Sequence, residues 1–538
     1  MIRRALPVLG LALAVAACGA NAPAKQQQEA AAPPQLDLKT ATAPAAKGLD
    51  KITWNLPYEP QTLDPIRSFN YAENTALANM CESLLRLTPD FKIEPGLAVK
   101  ADNPTPTTWV YTIRDGVKFW NGKPLTAADV AASLNRHLDP ALGTWWGDYF
   151  HTVESIKATG PMQVTVTLKQ PDVLFNQAMA TAAGAVVSAD YARKKDLGSP
   201  TGGLMCTGPF QFEGWKSGDA LTLKRNDSYW DQALKAKSES LVFRFIADET
   251  TAVNALRSGE VDGQYFYLPP AGLSQLQNST TGSVTLGRSL TFWTLLGAAK
   301  SGPYADPKVR QALSLALDRA AISKVVFQGT AAPQKTLAGA EYWGYAADTF
   351  KQAYDALPAA TPDLAKAKQL LTEAGNPTQT ITIGIQGSAA VHEQTANLIK
   401  ATGEALGLKI DIKVIPVEQY GNLYSDPKAR QGIDAFFSTW YGNVPDPLDI
   451  YTVFLDGGRT NFNGYPAVDA DIKKARATYD PAARAALVTG IQQKVTADVP
   501  WMPLNNLPVI LYMNNRVTGA VPSFPYLYYP WASGLGAR

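Results

Sequence analysis

The sequence predicts an α/β fold, and three stretches predict it. In the first, Trp109, Tyr111 and Ile113 alternate with Val110, Thr112 and Arg114 as a strand does. A Thr126-x-x-Asp129 capping box then opens a helix with Val130, Leu134 and Leu138 on its apolar face. In the second, Ile381, Ile383 and Ile385 alternate, a helix runs over 393–406 to Gly407, and Ile410, Ile412 and Val414 alternate again. Strand, helix and strand with short joints imply a partly parallel sheet. In the third, Asp306 caps a helix with Pro307 in its first turn, where the missing N–H costs nothing, and Val309, Ala312, Leu313, Ala316 and Leu317 form one stripe.

The remaining elements follow in chain order. Ile52–Leu56 is a strand. Asp115-Gly116 turns the 109–114 strand into a short second one, Val117–Trp120, which Asn121-Gly122 turns again. Further strands are expected over 162–168, 221–226 and 241–246, so short alternating strands dominate from Lys51 to about Val187. From about residue 290 helices and strands alternate, including a helix over 364–374 that ends at Gly375.

Composition narrows the function. The chain has 538 residues and a net charge of +2, with Lys and Arg spread evenly, which excludes a nucleic-acid surface. Three histidines, His137, His151 and His392, lie far apart, and neither an HExxH nor a CxxC occurs, so no metal site and no catalytic residue is expected. Aromatic residues make up 10% of the chain, enough to fill cores and also to wall a ligand cleft. Arg3 and Arg4 precede an apolar run, Ala5–Ala17, that falls short of the roughly 20 residues needed to span a bilayer and reads as a secretory signal. Residues 18–48 are rich in Ala, Pro, Gln and Lys and read as a flexible tether. Of three cysteines, Cys18 sits at the end of the signal. Cys81 and Cys206 are either paired in an oxidising compartment or packed as two buried thiols.

Several blocks resemble one known family. They are Leu63-Asp64-Pro65 with Glu82-Ser83-Leu84-Leu85 and Pro95-Gly96-Leu97-Ala98, the whole of 109–138, Thr207-Gly208-Pro209-Phe210 with Tyr229-Trp230, AVNALRSGEVD at 252–262, DPKVRQALSLALDR at 306–319, and 480–503. In this order they resemble the extracytoplasmic solute-binding proteins of the peptide/nickel class, the ligand-catching components of ABC importers. The resemblance implies a two-lobed periplasmic-binding-protein clamshell. Lobe I would be residues 50–285 plus 500–538, with an extra strand-rich subdomain at about 95–195, and lobe II would be 286–499. It also implies a monomer without cofactor or enzymatic activity, partnered by a small-molecule or short-peptide ligand and by an ABC permease in the inner membrane. Val15-Ala16-Ala17-Cys18 resembles a bacterial lipobox, which implies cleavage after residue 17 and a lipid anchor on Cys18.

The resemblance also selects a site. STWYGNVPDP at 438–447 leaves an apolar strand and is similar to the ligand-lining loop of peptide-binding members. There the backbone near the Trp pairs with an extended ligand, and an Asp three residues later holds its α-ammonium. Trp440 and Tyr441 match, but the Asp position holds Asn443, which has no charge to offer an ammonium. Asp446 is close enough to substitute, or simply sets the Asp-Pro turn. Phe69, Asn70 and Tyr71 match the facing wall, while the aromatic C-terminus at 526–531 either borders the cleft or packs lobe I. The expected ligand is a peptide or peptide-like solute, with an opine, glycoside or metal chelate as the alternative and a secreted hydrolase a more distant one.

Overall fold

The computed structural model describes residues 36–387 and 389–538, so the secretory signal and Cys18 lie outside the described residues. Two large sheets organise the chain. The first has seven strands, in the order Gly282–Gly287, Val509–Asn514, Gly263–Phe266, Lys51–Leu56, Ser240–Phe245, Ala220–Arg225, Phe210–Lys216. Lys51–Leu56 runs parallel to both its neighbours, and its Trp54 is fully buried against Tyr265 and Trp531. The second has six strands, in the order Ala332–Pro333, Trp501–Asn506, Thr291–Gly297, Ala435–Tyr441, Thr380–Gln386, Lys409–Ile415. Thr380–Gln386 and Lys409–Ile415 are parallel and joined by the helix Ala390–Ala405. A separate four-stranded antiparallel sheet, Ala98–Thr105, Thr108–Ile113, Gln163–Leu168, Val153–Gly160, carries the helix Ala127–Asn135 on Val153–Gly160.

The caps form as the sequence dictates. Thr126 accepts from the Asp129 N–H while Asp129 accepts from the Thr126 N–H, and Asp306 accepts from the Lys308 N–H. The expected strand at Val117–Trp120 is reduced to a single bridge between Lys118 and Pro124. Phe119 N–H already bonds the Lys123 carbonyl across the turn, and Trp120 N–H turns away to the carbonyl of Cys206, so no ladder can extend. Helix Tyr71–Leu77 also interrupts the run of strands; it is buried almost all round and has no side-chain cap, so it gives neither a stripe nor a start signal.

The chain passes between the two large sheets twice, at 288–290 and at 507–508. The crossings lie side by side, with Gly287 opposite Val509 and the Leu507 N–H bonded to the Thr291 carbonyl. Trp501–Asn506 pairs with Thr291–Gly297 in the second sheet, so the return crossing falls beyond the boundary at 500 expected from the sequence. The strand stays with the second sheet because its buried residues, Trp501, Met502 and Leu504, complete that core.

Residues 36–48 are not a free tether. Lys39 N–H bonds the Leu286 carbonyl, Thr42 Oγ1 donates to the Ala520 carbonyl at 2.7 Å, and Ala46 N–H and the Ala537 N–H exchange bonds with Ala537 and Lys47 carbonyls. Ala45 is buried. Composition alone does not reveal this, because backbone hydrogen bonds supply the attachment and need no apolar pattern. Cys81 and Cys206 form a disulfide, Cα atoms 5.0 Å apart, that fastens the end of the 71–77 helix to the Thr207-Gly208-Pro209 turn. Among the described residues no helix is long and apolar enough to cross a membrane.

Candidate functional site

Between the halves built on the two large sheets lies a cavity of about 580 Å³. Strand Ala435–Tyr441 delivers one wall. It is buried through Ser438, and Thr439, Trp440 and Tyr441 then emerge half-buried where the strand leaves the sheet. Trp440 rests edge-on against Trp501, ring centroids 5.0 Å apart. Opposite stand Phe69, Asn70 and Tyr71 at the start of the 71–77 helix. Phe69 stacks on Trp145 at 4.1 Å, and Tyr71 stacks on Tyr267 at 5.0 Å while meeting Tyr441 edge-on at 5.4 Å. The Tyr441 hydroxyl donates to the Phe69 carbonyl, so the two walls touch directly. All five of these predicted residues, with Asn443, line the cavity.

Asn443 is hydrogen-bonded through its amide oxygen, its amide nitrogen and its backbone N–H. Its Oδ1 accepts from the Tyr528 hydroxyl at 2.7 Å, its Nδ2 donates to the Tyr149 oxygen at 3.1 Å, and its backbone N–H donates to Asp449 Oδ2 at 2.7 Å. Tyr149 in turn donates its proton to Asp449 Oδ1. The neutral amide suits this place because it accepts from one tyrosine and donates to another, which a carboxylate cannot do. The negative charge sits instead on Asp449, a buried residue of the helix Pro447–Tyr451. Burial pushes its carboxyl up to about 6, against the opposing effect of the bonds from Tyr149 and Asn443.

Asp446 does not line the cavity. It is fully buried, accepts from the Leu448 N–H as cap of the Pro447–Tyr451 helix, and binds Gln177 Nε2 at 2.9 Å and Arg484 at 3.4 Å. The Asp-Pro start of a helix fixes the carboxylate onto the helix's own N–H groups, facing away from the cleft.

Sequence reasoning missed Trp145, Tyr149, Asp449 and Arg476, all of which line the cavity. Asp449 is three residues after Asp446 on one helix, a spacing that a search for carboxylates near the loop finds. Arg476 has no local signal. It ends the helix Asp469–Arg476 and pairs, buried, with Asp172, which also caps the helix Val173–Ala178. Its Nη2 also donates to the Asp148 carbonyl at 3.0 Å, and Arg459 reaches over to the Trp145 carbonyl, likewise 3.0 Å away. Of the C-terminal aromatics, Tyr528 joins the site, whereas Tyr526 stacks on Tyr265 and Trp531 packs at a tilt against Trp54 within the first half. His137 is a core residue: burial lowers its imidazole to about 3, and its ring stacks on Phe150 at 4.0 Å. Among the described residues no group of three His, Cys, Asp or Glu is placed to hold a metal.

Residues 92–462, well over half of the chain, match the middle region of the bacterial extracellular solute-binding proteins, family 5. The chain belongs to that family and is a solute-binding protein of the ABC-importer type. Among curated relatives it is 27% identical over 476 residues to the glutathione-binding protein GsiB of Salmonella paratyphi A, covering 85% of this chain and 89% of GsiB. Among solved structures, its fold is similar to that of DppA from Helicobacter pylori in complex with the peptide STSA, with a TM-score of 0.77, 22% identity, and coverage of 91% and 98%. It is also similar to AgaA from A. tumefaciens R10 in complex with agropinic acid, with a TM-score of 0.76, 23% identity, and coverage of 91% and 98%. These likenesses give the two-lobed α/β fold.

Proposed function

We propose that this protein captures a peptide or peptide-like solute in the cavity between its two lobes, closes on it, and delivers it unchanged to an ABC permease. The observation that carries this reading is the cavity itself, lined from both sides by Phe69, Asn70, Tyr71, Trp440, Tyr441 and Asn443. A volume of about 580 Å³ falls within the range of roughly 300–1,000 Å³ usual for small-ligand sites. Two adjacent crossings at 288–290 and 507–508 form the hinge. Ligand contacts from both lobes exist together only in the closed form, so binding favours closure by that difference in affinity. Turning a mostly open population into a mostly closed one takes about 5 kcal/mol of such difference. Residues 1–17 act as the signal, and a lipid on Cys18 holds the protein at the membrane.

The bonding of Asn443 favours a second reading, a non-peptide solute such as an opine. With Tyr528 bonded to its oxygen and no charge on its amide, it offers an α-ammonium only a neutral, partly occupied acceptor. Native mass spectrometry of freshly purified protein separates the two: a retained peptide mass supports the first reading, a retained non-peptide mass the second. Small-angle scattering tests closure, since the ligand so identified contracts the particle; binding without contraction overturns the hinge mechanism.

A further inference from the structure

The half built on the six-stranded sheet contains a second cavity, of about 230 Å³, away from the cleft. Helices Pro307–Ala316, Leu364–Glu373 and Pro481–Asp498, strand Trp501–Asn506 and the segment 358–361 surround it. Three cations line it, Arg319, Lys335 and Lys366, and no carboxylate does. Among the described residues none of the three forms an ion pair within 4.0 Å. Asp363, three residues before Lys366, is turned to the helix start, where it accepts the Lys366 backbone N–H at 2.9 Å, and the exposed Lys366 ammonium donates to Gln369 Oε1 at 3.2 Å.

Arg319 makes the arrangement costly as it stands. It is 5% exposed, and burial without a facing carboxylate lowers its guanidinium to about 10. A guanidinium has five donors, and three here are engaged, by the Pro503 carbonyl, the Ser314 carbonyl and Ser314 Oγ. The Lys335 ammonium makes long bonds of 3.4 and 3.3 Å to the Tyr354 and Leu357 carbonyls and lies over the Tyr354 ring, 5.2 Å from its centroid. Gln334, also lining the cavity and 3% exposed, has its Nε2 bonded to the Leu337 carbonyl while its Oε1 is buried without a donor. The buried Arg319 and the half-buried Lys335 lack a counter-charge, which disfavours the fold unless something compensates it. One ligand class compensates both cations.

We propose that this cavity is a second ligand site, for a small organic anion whose carboxylate groups meet Arg319, Lys335 and Lys366. Its remaining wall is apolar, from Leu315, Leu370, Val499 and Pro503, which suits a short carbon chain. The site is independent of the cleft ligand.

The test is calorimetric titration of L-malate into the full chain at constant ionic strength. Saturable binding is expected. Each lost charge-assisted contact weakens affinity by about tenfold, so Lys335→Gln with Lys366→Gln abolishes measurable heat while Trp440→Ala leaves it unchanged. Gln334→Glu, nearly isosteric, places a carboxylate among the cations and also abolishes binding; it decides the question if the double lysine variant does not fold. Absence of saturable heat with the native chain, heat unchanged in Gln334→Glu, or heat lost in Trp440→Ala overturns the proposal.

Discussion

Tyr528, in the last strand-and-turn segment of the first half, donates its hydroxyl at 2.7 Å to Asn443, which the chain reaches only after crossing into the second half. The same amide donates to Tyr149, so one side chain fastens the halves at two points beside the cavity.

Asn443→Ala removes both bonds and leaves two tyrosine hydroxyls facing each other. Each such loss costs about 1–3 kcal/mol, so ligand affinity falls by roughly tenfold to a hundredfold while the isolated halves keep their cores. Calorimetry with the retained ligand measures the affinity, and far-UV circular dichroism checks the fold. Asn443→Asp instead sets a second carboxylate beside Asp449 and is expected to lower stability at neutral pH by a similar amount.

The Asp172–Arg476 pair joins the halves through two buried side chains. Removing one partner leaves the other charged and unpaired, at a cost of about 3–5 kcal/mol. Arg476→Met is therefore expected to lower the urea midpoint and to expand the particle in small-angle scattering, whereas Asp172→Asn with Arg476→Met recovers part of both.

Asp449 makes stability depend on pH in an unusual direction. Its folded-state carboxyl, pushed up to about 6, holds a proton that the unfolded chain releases near 3.8. The folded state binds more protons in that window, so this group's contribution is full below pH 3.8 and is lost as pH rises through 6. The loss is at most about 3 kcal/mol. Asp449→Asn removes this contribution, which a series of melting temperatures between pH 4 and 7 detects as a change in slope.

Reducing the Cys81–Cys206 disulfide frees a loop of 125 residues. On chain entropy alone, closing a loop of that size is worth about 4–5 kcal/mol. Dithiothreitol is expected to lower the melting temperature of the wild type and to leave a Cys81→Ala, Cys206→Ala variant unaffected.

What the sequence made legible was local. Thr126 with Asp129, and Asp306 with Pro307, announce their helices because the cap and its target lie within three residues. Trp440, Tyr441 and Asn443 fall on the cavity because the strand that carries them ends there. What it hid was long-range. Nothing near Arg476 foretells Asp172, and nothing near Tyr149 foretells Asp449, since these pairs span some 300 positions. Asp446 and Asp449 share a helix, and only packing decides that the first caps and the second faces the cavity. The 36–48 segment reads as loose because its attachments are main-chain bonds to residues near 286, 520 and 537.

Those attachments bring the beginning and the end of the described chain together: Lys47 and Ala537 are paired neighbours. The folded body is thus nearly a closed ring of chain. A short peptide bridge from Arg538 back to Lys47 should permit new ends to be cut in an exposed turn elsewhere.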